Sequence, residues 1–248
     1  MKRLKLERVL VERGLAHDID EARRLIDSDV VLVNGSIANN PERLVAGADQ
    51  LLIVQKSRFV SRGGEKLEHA LDAFGIDPNG KTAVDLGSST GGFTDCLLQH
   101  GCATVFAVDV GENLLHERLA GDVRVRVLAG VNVKDVDRLP ERVADIVVVD
   151  LSFISAVSAL PAINAVTRDD AEIVVLVKPQ FEAERAEADR SGGVITDPAI
   201  QMRTVHEVSE AFVQAGFEHR GTVESPIRGH KGNVEYLSRF HKGPRTTP

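Results

Sequence analysis

Four charged side chains, two of each sign, stand where this sequence can concentrate chemistry: Lys66, Asp150, Lys178 and Glu235. Asp150 and Lys178 each follow an apolar run, Ile146 to Val149 and Ile173 to Val177, so both emerge at the carboxyl ends of buried parallel strands. Glu235 lies near the start of the run Val234 to Phe240, which is expected to be a last, antiparallel strand and so reaches the same edge. Lys66 falls in the first turn of an amphipathic helix expected over Gly64 to Phe74, where a cation opposes the helix dipole by roughly a few tenths of a kcal/mol and needs another reason to be there. Any one of the four alone reads as a surface ion pair. Together they read as a site able to activate a poorly acidic hydroxyl, which needs a base or a strong acceptor held in line with the group it receives. A lysine acts as base when burial or a second cation destabilises its ammonium form, whereas nearby carboxylates favour the charged form. Lys178 as base and Lys178 as a protonated positioning group both stay open.

The partner chemistry comes from Asp85-Leu86-Gly87-Ser88-Ser89-Thr90-Gly91-Gly92-Phe93, which leaves the strand Ala83 to Leu86 and enters a helix. Glycines there permit a sharp turn and close approach to a ligand, and free N–H groups at a helix start favour a carboxylate. The spacing is not GxGxxG, so a nicotinamide dinucleotide fits less well. The next strand ends at Asp109, whose carboxylate can accept from ribose hydroxyls. These features suit S-adenosylmethionine, with Gly87, Ser88, Ser89, Thr90, Gly91, Gly92, Phe93, Asp109, Asn132 and Asp150 as the candidate cofactor set; the bland alternative is that Asp85 and Asp109 only cap strand ends. A methyl donor beside the four charges points to a ribose hydroxyl as acceptor. Methylation of an exocyclic amine commonly uses Pro-Pro-aromatic where this chain has Asp150-Leu151-Ser152-Phe153, and cytosine C5 chemistry needs a cysteine at that edge.

Strands and helices must alternate to place these groups. Ala83 to Leu86, Thr104 to Val108, Val123 to Leu128, Ile146 to Val149, Ile173 to Val177, Phe217 to Glu224 and Val234 to Phe240 give an α/β, Rossmann-like, seven-stranded sheet with its ligands at the strand carboxyl ends. Ahead of it, Leu6 to Ile26 reads as helix, turn, helix. Val30 to Val33, ending in Asn34-Gly35, and Leu51 to Val54 read as strands of a small α+β module of about 55 residues. Lys56 to Phe59 reads as the connector, and the charged stretch 181 to 193, closed by two glycines, equally as a mobile lid that orders on RNA binding or as an ordinary solvated loop.

In 248 residues, 43% hydrophobic and 27% charged, a sizeable core is expected and disorder is not. No apolar run approaches the roughly 20 residues of a membrane helix, and Met1 to Leu10 lacks a signal peptide's apolar segment, so a cytoplasmic protein is expected. Cys96 and Cys102 are the only cysteines and have no metal-site spacing, so they read as core filler and no metal is expected. The net charge of −7 argues mildly against indiscriminate nucleic-acid binding. Basic residues nevertheless gather before the main domain.

The stretches VSRGGEKL at 60–67, GSSTGGFTDCLL at 87–98, VDVG at 108–111, DLSFIS at 150–155, VKPQFEA at 177–183, GGV with Asp197-Pro198, and SPI with GNVE at 232–235 together resemble the TlyA, or hemolysin A, family. This family of ribosomal RNA 2′-O-methyltransferases is related to FtsJ through its catalytic domain, and the resemblance covers nearly the whole chain. It implies a Lys-Asp-Lys-Glu tetrad at Lys66, Asp150, Lys178 and Glu235, and cytidine as the acceptor nucleotide. It also implies an S4-like RNA-binding domain at 1–56, a linker at 57–61, an S-adenosylmethionine-dependent methyltransferase domain at 62–242 and a tail at 243–248. Ribosomal RNA or ribosomal subunits are the expected partners of a monomer, gripped through Lys2, Arg3, Lys5, Arg13, Arg23, Arg24, Arg58 and Arg62. The S4-like module departs from its pattern at Asp18-Ile19, Asp29 and Asn40-Pro41, and loss of positive charge there weakens phosphate contacts. Glu112 to Glu117 departs in the adenosine region. The rival readings are an inactive ribosome-assembly RNA-binding protein and a membrane-lytic hemolysin, the second opposed by the absence of an apolar span or a basic amphipathic helix.

Overall fold

The computed structural model describes residues 3–28, 30–54 and 58–244 and divides into two compact units, before and from Phe59. In the first, β1 (Arg3–Lys5) runs into α1 (Leu6–Glu12) and α2 (Ile19–Asp27), followed by β2 (Val31–Val33), β3 (Ser36–Ile37), β4 (Leu44–Ala46) and β5 (Leu51–Ile53). Strand β1 pairs with β4, and β2 lies between β3 and β5. Leu6, Leu10, Ala22, Ile26 and Val31 are fully buried in the core that joins helices to strands. Asp18, a departure from the S4 pattern, still caps α2: its carboxylate accepts from the Glu21 N–H at 2.7 Å. The short strands β1, β3 and β4 carry no periodicity that the sequence could reveal, having only two or three residues each.

The second unit holds α3 (Gly63–Phe74), β6 (Thr82–Leu86), α4 (Gly92–Gln99), β7 (Thr104–Asp109), α5 (Glu117–Ala120), β8 (Val125–Ala129) and β9 (Ala144–Val149). After these come α6 (Leu160–Val166), β10 (Thr167–Val177), α7 (Pro179–Glu182), α8 (Arg185–Arg190), α9 (Pro198–Gln214), β11 (Glu218–Glu224) and β12 (Tyr236–Lys242). Seven strands form one sheet in the order β11-β12-β10-β9-β6-β7-β8, with β12 antiparallel to both neighbours. Strand residues alternate between two cores: Val84, Val147, Val149, Ile173 and Val175 pack with α6 and α9, while Ala83, Ile146, Val148, Val174 and Leu176 pack with α3 and α4. Cys96 and Cys102 are buried in the second of these. Strand order reverses between β6 and β9, and at such a switch the crevice beyond the strand ends is open to ligands.

Phe59, read from the sequence as part of a connector, is 3% exposed and packed in this unit's core. A Cβ on Gly64 would lie 2.2 Å from its ring, so that glycine admits it. The Val60 N–H donates to Asp95 (2.8 Å), which also takes Arg118 (2.6 Å) and thereby ties the entering chain to α4 and the start of α5. The charged 181–193 stretch is ordered as α7 and α8 and anchored: Glu182 accepts from the Ala156 N–H, Glu187 pairs with Arg203 at 2.5 Å, and Asn233 donates to the Gly193 carbonyl. Among the described residues no helix is long and apolar enough to cross a membrane.

Candidate active site

The parallel ends of β6, β9 and β10 put Gly87, Asp150 and Lys178 at one edge. Register does the rest. Leu86 pairs with Val149, so Gly87 meets Asp150, and Val177 pairs with Tyr236, so the antiparallel β12 brings Glu235 alongside Lys178. Lys66 enters from the first turn of α3 and forms a buried ion pair with Glu235, which explains a cation at a helix start. Lys178, 8% exposed, lies 2.6 Å from Asp150 and donates to Ser152 Oγ at 3.0 Å. All four residues line one cavity of about 540 Å³, together with Ser88, Ser89 and Thr90 of the glycine loop. Gly229 leaves room for the Glu235 carboxylate: a Cβ there would sit 1.9 Å from it, so the carboxylate would have to shift.

The loop glycines have packing duties as well. At Gly87, where φ is +89°, a Cβ would lie 2.5 Å from the Asp150 carbonyl oxygen. At Gly91 it would strike Leu115 and Leu119, and at Gly92 it would come within 2.2 Å of Ser61 Oγ. Asp85, at the loop's base, accepts from Thr94 Oγ1 at 2.7 Å and is fully buried. Burial pushes its carboxyl up to about 7; the Thr94 bond works against the rise, and the charges of Asp150 and Asp109 add to it. Asp109 accepts from the N–H groups of Ser89 and Gly111, both at 2.8 Å, so it shapes the loop in addition to lining a second cavity. That second cavity, about 360 Å³, has apolar walls from Val110, Leu114, Val133 and Ile154, and Asn132 on its rim. Phe93, a candidate cofactor contact, is 3% exposed and touches the first cavity from the core.

The expected RNA contacts divide between the two units. Lys2 lies outside the described residues. Arg3 and Arg24 are exposed, and Arg62 is exposed on the wall of the larger cavity. Three others hold the small unit together: Lys5 pairs with Glu42, Arg23 with the buried Glu7 at 2.7 Å, and Arg13 donates to the carbonyls of Gly47 and Asp49. Arg58 is exposed at the end of that unit.

The structure adds residues that spacing did not single out. Phe153 is 87% exposed with φ of +68°, its ring 5.4 Å from that of Phe181, and the Lys178 ammonium lies 5.7 Å from the Phe181 ring. Ser152, Gln180 and Lys231 complete this wall. Phe153 was visible in DLSFIS and Gln180 in VKPQFEA, but nothing in the residue types placed them on the cavity.

A sheet with one antiparallel strand, a glycine loop after its first parallel strand and polar groups at the carboxyl edge defines a Rossmann-like methyltransferase. The FtsJ-like methyltransferase family matches residues 59–242 and the S4 domain matches residues 4–51. The 16S/23S rRNA (cytidine-2'-O)-methyltransferase TlyA of Mycobacterium tuberculosis is 41% identical over 241 residues, covering 95% of this chain and 89% of the relative. Hemolysin A of Brachyspira hyodysenteriae is 36% identical, over 96% and 99%. A solved structure described as a candidate hemolysin from Streptococcus thermophilus superposes with a TM-score of 0.74 at 34% identity, covering 98% and 90%. The chain belongs to the TlyA family of FtsJ-like methyltransferases.

Proposed function

We propose that this protein transfers a methyl group from S-adenosylmethionine to a ribose 2′-hydroxyl of ribosomal RNA, at a cytidine. The observation that carries this reading is the pair of opposed ion pairs, Lys66 with Glu235 and Lys178 with Asp150, on one cavity beside the glycine loop. The residues fit the donor. The apolar cavity fits an adenine ring, Asp109 on its rim offers carboxylate oxygens to ribose hydroxyls, and loop N–H groups at the start of α4 suit a carboxylate. Bound there, S-adenosylmethionine supplies an electrophilic methyl group. Lys178 and Asp150 hold the acceptor hydroxyl and take its proton as a pair. Lys66, fixed by Glu235, presents a second cation to the charge that grows on the 2′-oxygen. Phe153, exposed in a left-handed conformation that costs of order 1–3 kcal/mol, offers a face on which an extruded base can stack.

In this reading the unit before Phe59 grips RNA, the unit from Phe59 carries the chemistry, and the enzyme works on ribosomal subunits as a cytoplasmic monomer. Relatives named as cytidine-2′-O-methyltransferases support the nucleotide and the oxygen. Mass mapping of ribosomal RNA, after incubating unmodified subunits with the protein and labelled donor, is expected to locate the label on the ribose of a cytidine. Label confined to bases, or none, rejects the reading.

A further inference from the structure

Gln180 stands in the cavity wall between Lys178 and Phe181, at the start of α7. Its amide oxygen is buried and has no hydrogen-bond partner among the described residues. An acceptor left in that state costs roughly 1–3 kcal/mol, and buried polar groups in folded proteins are otherwise nearly all paired. Two other buried side-chain oxygens share the condition, Asp85 Oδ1 and Asp150 Oδ1, and the second of these has Lys178 at 2.6 Å as its ion partner. Asp85 sits under the cofactor loop. Gln180 lines the cavity that also holds the aromatic pair Phe153 and Phe181, and directly precedes Phe181 in α7.

A nucleotide whose 2′-oxygen lies against Lys178 has its base one glycosidic bond away, within the span of that aromatic pair. A base stacked there turns its hydrogen-bonding edge sideways, to the wall. We propose that Gln180 reads that edge, its amide oxygen accepting a hydrogen bond from the exocyclic amine of the target cytosine. This inference rests on the ribose-methylation reading above. Pyrimidines differ at this point, since cytosine carries an amine donor at position 4 where uracil carries a carbonyl acceptor. A buried acceptor is satisfied by the first and repelled by the second, and a site that leaves a polar group unpaired discriminates strongly against the wrong ligand.

The test uses the full chain and an RNA fragment containing the mapped target, synthesised with cytidine, uridine or pyrimidin-2-one riboside at that position; the last lacks only the 4-amino group. Wild-type kcat/KM is expected to fall about 5- to 150-fold from cytidine to either analogue, the range of one well-made base contact. Gln180→Leu should lose a similar factor on cytidine and almost nothing further on pyrimidin-2-one, because substitution and analogue remove the same bond. Gln180→Glu, which offers only acceptors and cannot turn a donor to uracil, should keep the preference for cytidine. Calorimetric affinity for S-adenosylmethionine should be unchanged in both variants, which shows the fold intact. A Gln180→Leu enzyme that still separates the three bases as wild type does, or a wild type that does not separate them, overturns the proposal. A 2′-deoxycytidine target tests the underlying reading by itself: methylation that persists there rejects ribose as the acceptor, while the base preference is still measured.

Discussion

Lys178 is held by Asp150 and Ser152 and shares its cavity with the glycine loop, so its loss should act on the rate and spare the cofactor. Lys178→Ala is expected to lower single-turnover methyl transfer by ~10²–10⁴-fold with S-adenosylmethionine affinity nearly unchanged, as calorimetry would read it. A variant that keeps more than about a tenth of the wild-type rate refutes the role. Asp85 gives a different signature. Its folded value of about 7 stands above that of an unfolded aspartate, about 3.9, so the folded state keeps a proton that the unfolded chain has released. The favourable contribution of the protonated form is therefore complete below about pH 4 and drains away as pH rises to about 7. Asp85→Asn keeps an acceptor for Thr94 and removes the titration; its Tm relative to wild type should climb between about pH 4.5 and about pH 8. A difference that is flat across that range shows that Asp85 ionises normally.

At the scale of elements, Gly87 lets the end of β6 lie close against Asp150 at the end of β9, while its N–H donates to Val108 of β7. Gly87→Ala meets both a φ of +89° and the Asp150 carbonyl at 2.5 Å, so destabilisation of about 1–3 kcal/mol and loss of cofactor binding are expected together in denaturant titration and calorimetry. Unfolding and binding that both stay at wild-type values show that the strand ends can part without cost. Strands β6, β7, β9 and the second half of β10 were legible because their buried runs are nearly continuously apolar, and β8 because it alternates, whereas β11, EHRGTVE, shows neither pattern. Strand β10 is longer than the apolar run Ile173 to Val177 because its first half, Thr167 to Glu172, includes the exposed Arg168, Asp169 and Asp170, which no hydrophobic pattern marks. The tetrad was legible for the same reason as the strands, since three of its members sit at or next to strand ends and Lys66 in a helix's first turn. Phe153, Gln180 and Lys231 were not, because two of them reach the cavity through backbone with positive φ and the third through a four-residue helix. The packing roles of Gly87, Gly91 and Gly92 were also hidden, for they depend on neighbours distant in sequence.

For the whole molecule, each unit has its own hydrophobic core, and the small one spends Lys5, Arg13 and Arg23 on internal bonds. Arg3 and Arg24 remain exposed there. Replacing both with alanine should lower the slope of log affinity for ribosomal RNA against log salt, by about 0.7–0.9 for each phosphate that is no longer neutralised. The single-turnover rate at saturating RNA should hold. An unchanged slope in filter binding places the RNA grip elsewhere. The sheet, meanwhile, has an order of assembly written into it. Strand β11 hydrogen-bonds to β12 and not to β10, so the two form a hairpin that joins the sheet through β12 alone. Glu235 directly precedes β12, so its meeting with Lys66 waits on the docking of β12 along β10. Until then the Lys66 ammonium, in the first turn of α3, is without its buried carboxylate partner.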